Sequence, residues 1–154
     1  YVIWWTGGFW HRCHWVSILS MKRDRHVEVP TVLVVDDDVS LRGATVRLLK
    51  AMGFLARGFA SAEELLSSPH LNEACCLIVD VAMPGMSGLD LQERLIAQGR
   101  LVPMVFITAF SDERVRSQAM KHGAIGFLTK PFDESVLLEC VNEALKRRSD
   151  TDEA

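Results

Sequence analysis

Thr31-Val32-Leu33-Val34-Val35-Asp36-Asp37-Asp38 is a short β-branched apolar run that stops at three carboxylates. A strand buried on both faces reads as such a continuous run. Downstream, Leu41, Thr45, Leu48, Leu49 and Met52 recur at helical spacing, and Gly53 supplies the stop. Phe54–Phe59 reads as a second, weaker strand. In Ser61-Ala62-Glu63-Glu64 the serine and glutamate form a capping box that opens a helix. Cys75–Val79 is a third strand ending at Asp80, and Met83-Pro84-Gly85-Met86-Ser87-Gly88 is a loop by its Pro and Gly content. Leu91, Leu95 and Ile96 mark the next helix. Met104–Ile107 is a fourth strand ending at Thr108, and Ser111 is placed to cap a helix carrying Val115, Ala119 and Met120. Ala124–Leu128 is a fifth strand, followed by Lys130-Pro131. Leu137, Leu138, Val141 and Leu145 mark a last helix, ending in Lys146-Arg147-Arg148, where cations suit the negative helix end. Parallel strands need crossover helices, so five βα units predict an α/β fold: a five-stranded parallel sheet, doubly wound as (βα)5, in three layers.

Composition agrees with one such domain. The chain has 154 residues, 49% hydrophobic and 24% charged, with a net charge of −3 and a pI near 5.9. Nucleic-acid binders carry a basic surplus, which is missing here, so direct DNA binding by this chain is not expected. Neither a polybasic membrane patch nor an apolar run of eighteen residues is present. Cys13, Cys75, Cys76 and Cys140 have no Cys-x-x-Cys or zinc spacing. They read as reduced thiols of a cytoplasmic protein, with Cys75 and Cys76 pointing to opposite faces of their strand.

Residues 1–20 stand apart. All four tryptophans (Trp4, Trp5, Trp10, Trp15) and the sole tyrosine, Tyr1, fall there, with no acidic residue. Composition changes abruptly at Met21. The stretch reads as an extension foreign to the domain, with Met21 as the natural start. A second reading is an aromatic docking patch. His11, Cys13 and His14 form only a weak metal-ligand set. Residues 21–29 are then a lead-in, 30–147 the folded domain and 148–154 a polar tail.

Asp36, Asp37, Asp80, Thr108 and Lys130 fall at or just beyond the carboxyl ends of four predicted strands. In open α/β sheets ligands bind outside those ends, so residues distant in sequence would share one crevice. Three carboxylates without a cation would raise one another's pKa. A hard divalent ion relieves this, and magnesium favours a few carboxylates together with water and phosphate oxygen. A lysine and a hydroxyl donor complete a set suited to phosphoryl transfer, which depends on positioning and charge neutralisation. An aspartate can itself be the nucleophile. Each residue alone has a plainer reading, as a turn, a cap or a solvated side chain. The plain reading holds best for Asp38, as a helix-start residue.

Val34-Val35-Asp36-Asp37-Asp38, Asp80-Val81-Ala82-Met83-Pro84-Gly85-Met86-Ser87-Gly88, Ile107-Thr108-Ala109 and Lys130-Pro131-Phe132 together resemble the receiver domain of two-component response regulators, with its CheY-like, flavodoxin-like fold. Phe59-Ala60-Ser61-Ala62-Glu63 and Met120-Lys121-x-Gly123-Ala124 resemble its FixJ-type transcriptional subgroup. The resemblance implies that Asp80 accepts phosphate from a sensor histidine kinase. It implies Mg2+ (or Mn2+) held by Asp37, Asp80 and the backbone carbonyl of Ala82, with Asp36 acting largely through water. Thr108 and Lys130 would bind the phosphoryl oxygens, and Phe127 would be the switch aromatic that turns inward when Thr108 moves. A cis Lys130-Pro131 bond would aim the lysine inward. A homodimer through the fourth helix, fifth strand and fifth helix is implied on phosphorylation. Such a protein is a phosphoryl acceptor rather than an enzyme, apart from its own phosphorylation and dephosphorylation.

Two positions depart from the subgroup. Ala82 and Phe110 sit two residues after Asp80 and Thr108, where polar residues often assist the hydrolytic water, so a comparatively long-lived aspartyl phosphate is expected. The subgroup's helix-turn-helix output is not visible, which fits either a stand-alone receiver or the receiver piece of a longer regulator. Another class also begins with Asp36-x-Asp38 after an apolar strand: haloacid-dehalogenase-type phosphohydrolases. There Asp36 would be the nucleophile, Asp38 the general acid, and Thr108 and Lys130 the later motifs. That reading leaves Asp80-x-x-Met-Pro-Gly unexplained. A degenerate receiver would have lost Asp80, Thr108 or Lys130, and all three are present.

Overall fold

The computed structural model describes residues 28–152, and side chains through residue 150. The aromatic stretch 1–20, with its His11, Cys13 and His14 set, lies outside the described residues, as does Met21. Five strands alternate with five helices: β1 (Thr31–Val35), α1 (Val39–Ala51), β2 (Leu55–Phe59), α2 (Ala62–Leu66), β3 (Ala74–Asp80), α3 (Gly88–Ala97), β4 (Met104–Thr108), α4 (Glu113–Lys121), β5 (Gly126–Thr129) and α5 (Glu134–Asp152). A 3-10 turn, Pro69–Glu73, leads into β3. All pairings are parallel, in the order β2-β1-β3-β4-β5.

The pleat divides each central strand between two cores. Leu33, Val35, Leu77, Val79 and Phe106 face one core with Leu65, Leu91, Leu95 and Ala119 of α2, α3 and α4. Val32, Val34, Cys76, Ile78, Val105 and Ile107 face the other with Leu49 of α1 and Leu137, Val141 and Ala144 of α5. Each fully buried Leu, Val or Phe is worth about 1.5–3 kcal/mol of transfer energy, and side chains on both faces contribute, so the apolar runs form inner strands. Cys76 is buried and Cys75 only half-buried, as opposite-facing neighbours should be. Burial pushes the Cys76 thiol pKa up.

Element ends differ from expectation where tertiary hydrogen bonds decide them. Phe54 donates its N–H to the Leu49 carbonyl, closing α1, so β2 begins at Leu55. Ala124 donates to the Ala119 carbonyl beyond Gly123 at φ +91°, so β5 begins only at Gly126. The cap of α4 is Asp112 rather than Ser111, its carboxylate accepting from the Arg114 N–H at 2.8 Å. Ser61 caps α2, but Glu64 accepts from the Ala60 N–H, one residue before the cap. A full reciprocal capping box stands instead at α3, where Ser87 and Asp90 satisfy each other's backbone N–H. The last helix continues beyond Arg148 to Asp152, so the start of the expected polar tail is helical. The Arg148 guanidinium donates to the Ala74 carbonyl at the start of β3, pinning this end of α5 to the sheet. Among the described residues, no helix is long and apolar enough to cross a membrane.

Candidate functional site

The strand order reverses direction between β1 and β3, and that switch point is where an open parallel sheet leaves a crevice at its carboxyl edge. Asp36 follows β1 and Asp80 ends β3; both are buried. Asp36 is fixed from several sides. Its N–H donates to the Phe59 carbonyl at 3.1 Å, its Oδ1 accepts from the Asp38 N–H at 2.8 Å, and its carbonyl accepts from the Arg42 guanidinium at 2.6 Å. Asp37 is exposed beside it. Carboxylate oxygens of Asp36, Asp37 and Asp80 lie within 4.8 Å of one another.

Lys130 reaches this cluster from the end of β5 across β4. Its Nζ lies 3.2 Å from Asp36 Oδ2 and 3.7 Å from Asp80 Oδ2. The Lys130-Pro131 peptide is cis, and the Lys130 N–H donates to the Thr108 carbonyl at 2.8 Å. At an effective dielectric near 20, each lysine contact is worth about 4–5 kcal/mol of gross Coulomb attraction, while Asp36 and Asp80, with oxygens within 4.8 Å of each other, repel by at least about 3.5 kcal/mol. Lysine therefore holds the buried pair together. Three carboxylates and one ammonium still leave a formal −2. Burial pushes the Asp80 carboxyl above its ordinary pKa, Lys130 pulls it down, and Asp36 and Asp37 push it up again. A hard oxygen donor set with this residual charge fits a divalent cation.

Thr108 ends β4 and is buried. Its hydroxyl donates to the Phe110 carbonyl at 3.0 Å and accepts from the Phe110 N–H at 3.3 Å. Phe127 on β5 is buried with its ring centroid 6.3 Å from that of Phe106, tilted by 40°. Ala82 is exposed, and its N–H donates to Asp80 Oδ1 at 3.4 Å. Phe110 is 83% exposed. Both positions that the resemblance sets beside the carboxylate, Ala82 and Phe110, thus carry exposed apolar side chains.

Two supporting residues were not legible in the sequence. Gly88 is buried at the start of α3, and a Cβ there would lie 2.5 Å from the Asp80 carbonyl oxygen. Only glycine lets the helix start so close to the carboxylate-bearing backbone. Glu63 on α2 accepts from the Met86 N–H at 3.0 Å, tethering the β3–α3 loop. Gly85 at φ +76° makes room for it, since a Cβ there would lie 2.9 Å from Glu63 Oε1. Backbone hydrogen bonding, including that from Met86, holds the Glu63 carboxyl below its ordinary pKa. Neither contact has a local sequence signature, because both depend on which elements pack together.

An open doubly wound sheet with this order, and with acids and a lysine gathered at its switch point, defines a phosphotransfer-type α/β domain. Residues 32–142 match the response regulator receiver domain family, and the chain belongs to that family. Nodulation protein W of Bradyrhizobium diazoefficiens is 40% identical over 125 residues, which cover 79% of this chain and 55% of that protein. Transcriptional regulatory protein FixJ of Azorhizobium caulinodans is 34% identical over 119 residues, covering 77% of this chain and 56% of that protein. Among solved structures, the response regulator StyR superposes with a TM-score of 0.76 at 42% identity, covering 81% of this chain and 63% of that one. The chain spans about half the length of the curated relatives it matches. The phosphohydrolase reading finds no support. Asp38, its required general acid, is committed as the cap of α1, its Oδ1 accepting from the Ser40 and Leu41 N–H groups.

Proposed function

We propose that this receiver takes a phosphoryl group from a sensor histidine kinase onto Asp80 and thereby switches a partner-binding face, in transcriptional control. The observation that supports it best is the position of Lys130 Nζ between the buried carboxylates of Asp36 and Asp80. In the transfer, an Asp80 carboxylate oxygen forms a bond to phosphorus as the phosphorus–nitrogen bond to the donor histidine breaks, and the electron pair returns to the imidazole. Lys130 and the Thr108 hydroxyl take the phosphoryl oxygens. Asp37, Asp80 and the Ala82 carbonyl would hold Mg2+ or Mn2+ directly, with Asp36 acting through water. When bound, the cation supplies neutralisation of the charge shared by carboxylate and phosphoryl oxygens.

Thr108 turning from Phe110 toward the phosphoryl group would let the β4–α4 loop rearrange beside Phe127. Such a local charge event biases the packed face formed by α4, β5 and α5. That face would bind a second receiver. In this reading the chain makes no direct DNA contact of its own, and the domain works in the cytoplasm. Ala82 and Phe110 offer no side-chain group to orient a hydrolytic water, which supports a long-lived phosphate.

The test is intact mass after incubation with acetyl phosphate and magnesium, run beside Asp80→Asn and Asp36→Asn. A single phosphoryl adduct lost in Asp80→Asn is the expected result. An adduct that survives Asp80→Asn and needs Asp36 would overturn the assignment. For the lifetime, Phe110→His or Ala82→Arg should change the rate of phosphate loss; unchanged rates in both would sink that part.

A further inference from the structure

Arg42 sits in the first turn of α1 and is half-buried. Its Nη1 donates to the Asp36 carbonyl at 2.6 Å. That carbonyl and the Asp37 N–H belong to one planar peptide unit, the link between the two acids that follow β1. On the other side of Asp36, its N–H donates to the Phe59 carbonyl of β2 at 3.1 Å. The main chain of Asp36 is therefore gripped from both directions. Asp37 is exposed, so its carboxylate takes its place from the backbone that carries it.

Gly58 of β2, paired with Val34 of β1, gives the arginine its path. A Cβ at Gly58 would lie 2.8 Å from Arg42 Cγ and 3.0 Å from its Cδ. The arginine stem thus crosses β2 where the strand has no side chain, and a glycine inside a strand often marks such a close approach. Arginines on a helix surface commonly pair with an acid one turn away. Among the described residues no carboxylate forms an ion pair with Arg42. Packing of α1 on β2 explains the stem. It does not explain why the guanidinium ends on the carbonyl between the two acids.

We propose that Arg42 is a positioning residue of the acidic crevice: by holding the Asp36 carbonyl it sets the peptide joining Asp36 to Asp37, and so places both carboxylates for one divalent cation. This role rests on the reading of the crevice as a divalent-cation site, and it is independent of which carboxylate accepts phosphate. Groups that orient metal ligands without touching the metal carry about a tenfold to hundredfold share of affinity.

The test uses the full chain titrated with magnesium chloride by isothermal calorimetry, with amide exchange read by 15N NMR before metal is added. Arg42→Met keeps an unbranched stem and removes the planar fork. It should weaken magnesium binding by about tenfold and, without metal, speed exchange of the Asp38 N–H that Asp36 Oδ1 accepts. Loss of a positive charge beside three acids would by Coulomb attraction alone tighten cation binding, so the sign separates positioning from charge. Arg42→Lys, which restores a donor and the charge, should recover most of the affinity. Gly58→Ala displaces the stem with the arginine intact and should weaken binding in the same direction. Combined with Arg42→Met it should weaken binding no further, because both act through one contact. Unchanged or tighter magnesium binding in Arg42→Met overturns the proposal, as do additive losses in the double variant. A wild type that binds no magnesium defeats the divalent-cation reading itself and the positioning role with it. Where Arg42→Met fails to fold, Gly58→Ala decides: wild-type magnesium affinity there overturns the proposal.

Discussion

Gly88→Ala puts the packing of the crevice to the sharpest test. A Cβ at this position would lie 2.5 Å from the Asp80 carbonyl oxygen, 3.1 Å from Val79 Cγ1 and 3.2 Å from Phe106 Cε1. The first contact is with the backbone of an inner strand, which has no rotamer to yield, so the start of α3 must move. Overpacking of this kind costs about 1–3 kcal/mol. Alanine returns at most about 1 kcal/mol of helix propensity, and less at a first helical residue. The net loss is about 1–2 kcal/mol, a fall in Tm of roughly 3–8 °C for a domain of this size. The displaced atom belongs to Asp80 itself, so phosphorylation by acetyl phosphate should slow as well. Gly99→Ala is the control: Gly99 sits at φ +70° with nothing within 4 Å, so substitution strains the backbone without touching the site. It should lower Tm and leave the phosphorylation rate alone. If Gly88→Ala matches the wild type in both melting and phosphorylation, the helix start yields freely and the reasoning fails.

Asp80 makes stability depend on pH. Burial raises its folded pKa above the ordinary 3.8, so its contribution to stability is fully present below that value and is lost as pH rises through the folded value. In metal-free buffer, Asp80→Asn should therefore gain on the wild type in urea midpoint as pH rises above 3.8; a constant difference from pH 3 to 7 would contradict this. Asp36→Asn removes the partner nearest Lys130 and should weaken magnesium binding by about tenfold or more, read by isothermal calorimetry; unchanged affinity would count against Asp36 as a supporting ligand. Glu63→Ala frees the Met86 N–H, which should exchange faster with solvent while Tm falls by only a few degrees. Equal exchange at Met86 in both proteins would mean that Glu63 does not hold the loop.

What the sequence reveals here is what local chemistry controls. Thr31–Val35 needs only an uninterrupted apolar run to declare a strand buried on both faces, and its observed ends agree. Asp36, Asp37, Asp80 and Lys130 became a set because each followed a strand, and a parallel sheet brings such ends together. Asp38 capped its helix as a lone aspartate should. Ser111 lost the α4 cap because the neighbouring Asp112 carboxylate was one residue closer to the helix start. The α3 box escaped notice because aspartate, not the usual glutamate or glutamine, stands at its third position. Gly88 was legible as part of a Pro- and Gly-rich loop motif, but not as the glycine that seats α3 against the Asp80 carbonyl, and Gln92 of α3, whose Nε2 donates to the Ala119 carbonyl, carried no signal; the partner that matters to each is set by packing.

The Lys130–Asp36 contact joins residues 94 positions apart. During synthesis at roughly 5–20 residues per second, the first carboxylate leads the lysine by about 5–20 seconds. For that interval the growing chain displays its acids with no ammonium among them, and neither a productive crevice nor its charge balance exists. Completing the fifth strand closes the circuit in one step. A half-made copy therefore has the acids of the crevice without the lysine that gathers them.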